Sequence, residues 1–540
     1  MATHEVSNQP PPLRDYNLFE SDRALCEGLE REGAGWAAAR VSELGAIAGG
    51  EAMEWGRQAN AHPPVLRTHD RYGHRIDEIE YHPAYHRLME LAVGYGLHAL
   101  PWREPRAGAQ VARAALFFVL GQAEAGHGCP ISMTYAAVPA LRTEPELAHS
   151  WEPLFTSSSY DPRFVPVGEK AGALCGMAMT EKQGGSDVRA NTTRAEPAGN
   201  GGWVLTGHKW FCSAPMCDAF LVLAQTGKGL TCFLLPRWQP DGRRNHFFIQ
   251  RLKDKLGNRS NASGEVEFDG AWAQRVGPEG RGVPTIIEMV NHTRLDCIIG
   301  AAGLMRHGVA QAVHHAQHRS AFGKRLIEQP LMQNVLADLC IESEAATTAM
   351  MRVARAYDAN GDEGEAHFAR LATTVLKYWI CKRAPAHAAE ALECLGGGGY
   401  IEESPLPRLY REAPLNSLWE GSGNVICLDA IRAIAKSPAV LEAFFAEVER
   451  GSGADRRLDQ FTTDLREDLA RDEPREARAR DLVERLALAL QGSLLVRHGD
   501  PAVAEAFCAA RLGGHHRLAF GTLAPGFHFP RVIERARPSV

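Results

Sequence analysis

At 540 residues, 45% apolar and 23% charged, the chain has globular composition and too much length for one ordinary core, so three or four packed units are expected. Its 59 basic and 65 acidic side chains leave a formal charge of -6, which excludes a global cationic field that would gather nucleic acid or anionic membrane. Twelve cysteines stand without CxxC pairing or a completing histidine pattern, so reduced core thiols are expected and no metal site. No run approaches the roughly 20 apolar residues of a membrane span, and residues 1–12 lack a basic segment leading into an apolar one; a cytoplasmic protein without membrane contact is the expectation.

Pro10-Pro11-Pro12 should be extended. From Ser21 to about Leu174 apolar residues recur at three and four, as in Gly108 to Glu124, which predicts a helical domain over residues 1–176. After Met177 the pattern changes to short β-type runs, Trp203 to Leu205, Phe220 to Ala224, Thr231 to Leu235 and Val266 to Phe268, separated by Gly, Asn, Asp and Pro; these predict a β domain over 177–280. Long helical periods return from Val283, including Gln333 to Tyr357, Glu365 to Leu395 and Gly423 to Lys436, closing before Pro438, and predict a helix bundle over 281–437. Gly451-Ser452-Gly453 reads as a linker, and residues 438–540 as an additional helical domain. The fold class is α+β, mostly α.

Met179-Thr180-Glu181-Lys182-Gln183-Gly184-Gly185-Ser186-Asp187 lies at the helical-to-β junction, where glycines let backbone amides approach a ligand and hydroxyls can hydrogen-bond it. By itself Gly-Gly-Ser-Asp is also ordinary turn chemistry. Further along stand Gly207-His208-Lys209-Trp210-Phe211-Cys212-Ser213, Arg319-Ser320-Ala321-Phe322-Gly323, Leu395-Gly396-Gly397-Gly398-Gly399-Tyr400 and Trp419-Glu420-Gly421-Ser422-Gly423-Asn424. In this order and spacing the chain resembles the acyl-CoA dehydrogenase family from roughly Arg106 to Lys436. Within that family it is most similar to the AidB group of alkylation-response proteins, through Met179 to Glu196, Gly207 to Phe211, Arg251 to Ser263 and Pro407 to Asn424. Asn8-Gln9-Pro10 and Arg31 to Trp36 extend the likeness to the N-terminus.

The resemblance implies the acyl-CoA dehydrogenase fold: an N-terminal helical domain, a middle β domain and a C-terminal four-helix bundle, here with an additional helical C-terminal domain. It also implies FAD as cofactor, an acyl-CoA as substrate and a homotetramer built as a dimer of dimers. By position, Met179, Thr180 and Ser186 match contacts to the isoalloxazine and pyrophosphate, and Phe211 with Ser213 matches the aromatic and hydroxyl residues beside the ring. Arg319 matches a guanidinium that reaches the FAD of a neighbouring subunit, and Gly396 and Gly397 match the loop close to that cofactor. Gly185, Phe322, Ser422 and Asn424 belong to the same cofactor-binding motifs. Taken alone, Phe211 would equally suit core packing. Glu393 stands where many members have Gln, and Pro330 replaces a common Gln, so the contacts near the adenosine differ.

Oxidising a thioester between its α and β carbons requires removal of an α proton while a hydride leaves the β carbon, and a positioned carboxylate can take that proton. Glu420 is at the position the resemblance assigns to this base; as a bare residue it could instead cap the helix that starts near Ser422. A minority of the family, including the isovaleryl-CoA enzymes, carries the base before an arginine on an earlier helix; here that place is Thr293, ahead of Arg294. Trp419 replaces the more common tyrosine, so a cavity lined by Trp419, Thr293 and Arg294 should suit a short or branched acyl chain and turn over slowly.

The AidB likeness implies a second reading, in which the C-terminal unit binds double-stranded DNA, serves the adaptive response to DNA alkylation, and leaves little or no dehydrogenase activity. Residues 441–540 hold 15 Arg and no Lys against 16 acids, so that segment is neutral as a whole. After Arg485 the balance turns positive through Arg497, Arg511, Arg517, Arg531, Arg535 and Arg537. Arg432, Arg511 and Arg517 are the candidate phosphate contacts. A solvated helix face with local ion pairs is the plain alternative. His314, His315 and His318 read as a packed or surface cluster, and Cys175, Cys212 and Cys217 as inert thiols.

Overall fold

A computed structural model of the chain describes residues 3–199, 201–358, 361–471, 475–513 and 518–539. The chain divides into two compact units, a β-rich one formed by Ala52–Arg106 and Ala123–Thr293, and a helical one formed by Met1–Glu51, Ala107–Gln122 and Arg294–Val540.

In the β-rich unit each predicted run lies inside a longer strand, Trp203 to Leu205 at the start of Trp203–Ser213. Ala219–Thr226 and Gly229–Pro236 pair antiparallel, Gly229–Pro236 pairs with Ser263–Val276, and Ser263–Val276 pairs in turn with Trp203–Ser213. Through Arg194–Pro197 the order returns to Ala219–Thr226, so these strands form a closed ring. Residues 219–224 are buried without alternation, as expected for a strand covered on both faces. Cys175–Ala178 adds a parallel strand beside Ala219–Thr226, and the almost wholly buried helix Gly128–Leu141 packs on it, with Cys175 N donating to Thr134 Oγ1 at 3.0 Å.

A buried carboxylate ties this unit's helices to its loops. Glu124 accepts from Asn60 Nδ2, Gly126 N, Ser260 Oγ, His127 N and His127 Nδ1, all at 2.7–3.1 Å. Burial pushes the carboxyl up, but these donors outweigh it and hold the group well below the usual carboxylate range.

The helical unit is built on Gly282–His318 from residue 294 onward, Pro330–Ala356, Glu363–Glu393 and Gly423–Lys436. Local chemistry sets their starts: Pro330 occupies the first turn of its helix, and the Asp362 carboxylate accepts from Gly364 N and Glu365 N. Among the described residues beyond 438, the helices Pro438–Glu449, Arg456–Ala470, Ala479–His498, Pro501–Phe507 and Phe529–Arg535 belong to the same compact unit. Arg352 and Arg497 converge on Glu447 at 3.0 and 2.7 Å, joining the bundle to these helices.

Arg113 and Asp296 form a two-pronged ion pair at 2.6 and 2.7 Å with side chains 1% and 3% exposed, locking Ala109–Ala123 to the long helix. Arg113→Leu would strand the Asp296 charge in the core. Urea unfolding should show a loss of about 3–5 kcal/mol, whereas a loss below about 1 kcal/mol would mean that water reaches the pair.

Candidate active site

In the β-rich unit, the strand Cys175–Ala178 runs into the loop that begins at Met179. Asn191 Nδ2 donates to Met179 O at 2.9 Å, and Trp210 N donates to Thr180 O at 2.8 Å, which fixes the loop to Trp203–Ser213. Beneath the loop lies an ion pair between Lys209 and Glu181 at 2.8 Å, with both side chains inaccessible to solvent. Lys209 Nζ also donates to Leu223 O at 2.8 Å, while Glu181 accepts from Gln183 Nε2 and from the amides of Thr192 and Thr193. Burial pushes the Lys209 ammonium down to about 8 against the pull of Glu181. The Glu181 carboxyl, although buried, is held well below its ordinary value by Lys209 and the loop donors.

This scaffold leaves Gly184 and Ser186 at the surface. Gly184 has φ +149° with open space where a Cβ would stand, so its backbone is approachable. At Gly185 a Cβ would lie 2.4 Å from Thr180 Oγ1, so a side chain there would displace Thr180. At the end of Trp203–Ser213, Phe211 is 51% exposed while neighbouring Cys212 is buried, and Ser213 pairs in register with Ser263. Lys253 Nζ stands 3.3 Å from the centre of the Trp210 ring and 4.7 Å from that of Phe211, anchored to Glu265 at 2.6 Å. Burial pushes the Cys175, Cys212 and Cys217 thiols up, Cys212 to about 12, which keeps them protonated and poorly nucleophilic.

In the helical unit, the short helix Leu415–Leu418 ends at Trp419, Glu420 turns the chain at φ +58°, Gly421 follows at φ +104°, and Ser422 opens Gly423–Lys436. A left-handed conformation at a residue with a Cβ costs about 1–2 kcal/mol. The three successive carbonyls are all held by cations. Lys377 Nζ donates to Trp419 O at 2.8 Å and to Gly421 O, and Arg294 Nε donates to Glu420 O at 3.0 Å. Charge-assisted bonds contribute roughly 1.5–3 kcal/mol each, enough to offset the strain. Arg294 and Arg370 each bind Asp429 at 2.8 Å; burial pushes that carboxyl up, but the two guanidiniums hold it below its ordinary value.

The remaining candidates fall at distinct places. Trp419 Nε1 donates to Asn416 Oδ1 at 3.0 Å, and Asn424 Oδ1 accepts from Arg480 Nε at 2.8 Å. Thr293 is buried, with its hydroxyl donated to Val290 O one turn back. Arg319 NH1 donates to Asn8 O, while the Asn8 amide exchanges two 2.8 Å bonds with Ser320. Phe322, at φ +53° in the two-residue turn with Gly323, is almost fully exposed. Gly396, at φ +58°, and Gly397 have open space at the Cβ position.

Of the arginines after residue 485, Arg497, Arg511 and Arg535 are turned inward onto carboxylates, whereas Arg531 and Arg537 stay exposed. Arg511 is 13% exposed and bound to Asp338 and Glu342, and Arg535 binds Glu27 and Glu344. Arg497 and Arg531 bind Glu447 and Asp500, and Arg537 binds Glu534 at 3.4 Å. Arg511 is therefore corrected from a phosphate contact to an internal counter-ion, because its guanidinium neutralises two buried carboxylates. Arg432 is exposed, and Arg517 lies outside the described residues. Spacing did not single out Lys209, Lys253 or Lys377; the available signal for Lys377 was one lysine inside the apolar run from Val375 to Cys381.

Comparison with known proteins assigns these features to a family. Residues 8–162 match the adaptive response protein AidB N-terminal domain, 176–271 the acyl-CoA dehydrogenase middle domain, and 280–435 the acyl-CoA dehydrogenase C-terminal domain. The AidB protein of Escherichia coli (strain K12) is 47% identical over 94% of both chains. Acyl-CoA dehydrogenase family member 11 of Caenorhabditis elegans is 32% identical over 78% of this chain and 71% of its own. The crystal structure of Caenorhabditis elegans ACDH-11 in complex with C11-CoA superposes with a TM-score of 0.85 at 27% identity, covering 94% of this chain and 93% of the other.

Members of the family are FAD flavoproteins that act as oxidoreductases on CH-CH groups. The residues here fit that cofactor. Phe211 offers a half-exposed aromatic face for a planar ring, the unencumbered backbone at Gly184 suits a phosphate, and Gly396 and Gly397 leave their peptide groups open to a ligand. The chain belongs to the acyl-CoA dehydrogenase family, in its AidB branch.

Proposed function

We propose that the chain oxidises the α,β bond of a short or branched acyl-CoA slowly, with Glu420 as the base. The observation that carries this reading is the cation-held, left-handed backbone at Glu420: a strained residue kept in one conformation by Arg294 and Lys377 is built to aim a side chain. Glu420 takes the α proton, and its backbone N-H is the donor for the thioester oxygen as negative charge gathers there. Bound FAD supplies the hydride acceptor. Trp419, tethered to Asn416, limits the acyl chain, and Thr293 and Arg294 complete the substrate pocket. Phe211 and Ser213 flank the ring, Met179, Thr180, Gly185 and Ser186 hold the flavin loop side, Arg319, Gly396 and Gly397 serve the FAD of a neighbouring subunit, and Phe322, Ser422 and Asn424 belong to the same cofactor-binding motifs.

The chain is read as four segments, 1–176, 177–280, 281–437 and 438–540, and as a homotetramer. The exposed apolar side chains of Phe322, Leu331, Tyr400 and Ile401 support self-association. A cytoplasmic location accords with the finding that no helix among the described residues is long and apolar enough to cross a membrane. The burial of Arg497, Arg511 and Arg535 against carboxylates takes them out of a phosphate-facing surface, while Arg432, Arg531 and Arg537 stay exposed, and the DNA-binding, alkylation-protective role is kept as the second reading.

Anaerobic bleaching of the flavin by a panel running from isovaleryl-CoA to undecanoyl-CoA tests the proposal. One member should reduce it, and Glu420→Gln should slow that step by about 10²–10⁴-fold while the flavin stays bound; a variant as fast as the parent protein overturns the base assignment. Phe211→Ala should weaken FAD binding about ten-fold, or roughly 1.4 kcal/mol, in a fluorescence titration. Unchanged affinity would remove Phe211 from the ring's contacts.

A further inference from the structure

Lys377 lies near the middle of Glu363–Glu393 with only 1% of its surface exposed. No carboxylate among the described residues forms an ion pair with it. Its ammonium is satisfied by the carbonyls of Trp419 and Gly421, the residues on either side of Glu420. Burying a cation is unfavourable unless strong dipoles face it, so both the lysine and the loop are constrained by the same contact. A neutral donor of similar length would reach one carbonyl well; an ammonium, with three N-H groups spread around one nitrogen, can bind two that diverge.

We infer that Lys377 is a positioning residue for Glu420. Its bond to Trp419 O fixes the peptide plane that enters Glu420 and its bond to Gly421 O fixes the plane that leaves Gly421, while Arg294, from another helix, binds Glu420 O and fixes the plane between them. With φ held at +58°, the direction in which the Glu420 side chain leaves the backbone is set. The buried thiol of Cys297 gives a second view of the same arrangement. Burial pushes it up, Lys377 pulls it down and Glu420 pushes it further up, so ammonium and carboxylate both lie within electrostatic reach of one sulfur atom. The catalytic consequence of this clamp rests on Glu420 being the base; the clamp itself rests only on the backbone contacts.

Amide hydrogen exchange followed by mass spectrometry on the FAD-loaded full chain decides the matter without turnover. In Lys377→Met, exchange across residues 418–424 should rise at least ten-fold while Pro330–Ala356 keeps its protection. Lys377→Arg, which retains the charge and the donors, should stay within three-fold of the parent. Unchanged exchange across 418–424, or acceleration spread evenly over the helical unit, overturns the inference. Should Lys377→Met not accumulate as flavin-loaded protein, Lys377→Gln is read in the same way.

Reduction of the flavin by isovaleryl-CoA reads the catalytic arm. The limiting rate should fall ten- to hundred-fold with the half-saturating concentration changed less than three-fold, and Lys377→Met should add nothing to Glu420→Gln. Faster exchange at 418–424 together with an unaffected Glu420→Gln rate would leave the clamp standing and sink only the base assignment.

Discussion

Charge buried on helices shapes the turn that carries Glu420. Two helices of the bundle each send one cation to this turn, Arg294 from Gly282–His318 and Lys377 from Glu363–Glu393. Both bind main-chain oxygen. The loop therefore inherits the rigidity of the helices that hold it, and the left-handed residue at its centre is retained without a glycine. Asp429 stabilises the arrangement by pairing with Arg294 and Arg370, so the guanidinium that reaches Glu420 O is itself aligned.

The same device recurs in the β-rich unit. Lys209 lies inside the strand ring and donates to Leu223 O, while its partner Glu181 gathers the amides of Thr192 and Thr193. A carboxylate with several donors and a single lysine keeps its charge in the core because its lone pairs are filled. The glycine-rich segment above it can then stay short and open, since its geometry is imposed from beneath. Apolar packing alone would give such a loop a surface but little direction.

Much of this was legible in the sequence. The helix at Gly423–Lys436 begins and ends where the apolar spacing and Pro438 put it, because local periodicity and a local breaker determine both ends. The strands are legible in part and their full lengths are not: Val266 to Phe268 grows to Ser263–Val276 because three neighbouring strands pair with it, and pairing partners are not written locally. The chemical motifs were readable through their order along the chain. What binds Lys377 was not, since a lysine in an apolar helix signals burial without naming the distant carbonyls it meets. Arg511 and Arg535 misled for the same reason, their carboxylates lying 173 and 191 residues away.

Those distant pairings also bear on how the chain is put together. Asp338, Glu342 and Glu344 project from a single bundle helix into buried surroundings, and two arginines from beyond residue 500 neutralise them; Arg383 supplies the remaining cation at Glu342. Without its last segment the bundle would keep buried Asp338 and Glu344 without the arginines that pair with them here, and Glu342 with Arg383 alone. The terminal extension is thus tied to the bundle by ion pairs on two sides of Pro330–Ala356, and removing it would leave buried carboxylates of that helix unpaired.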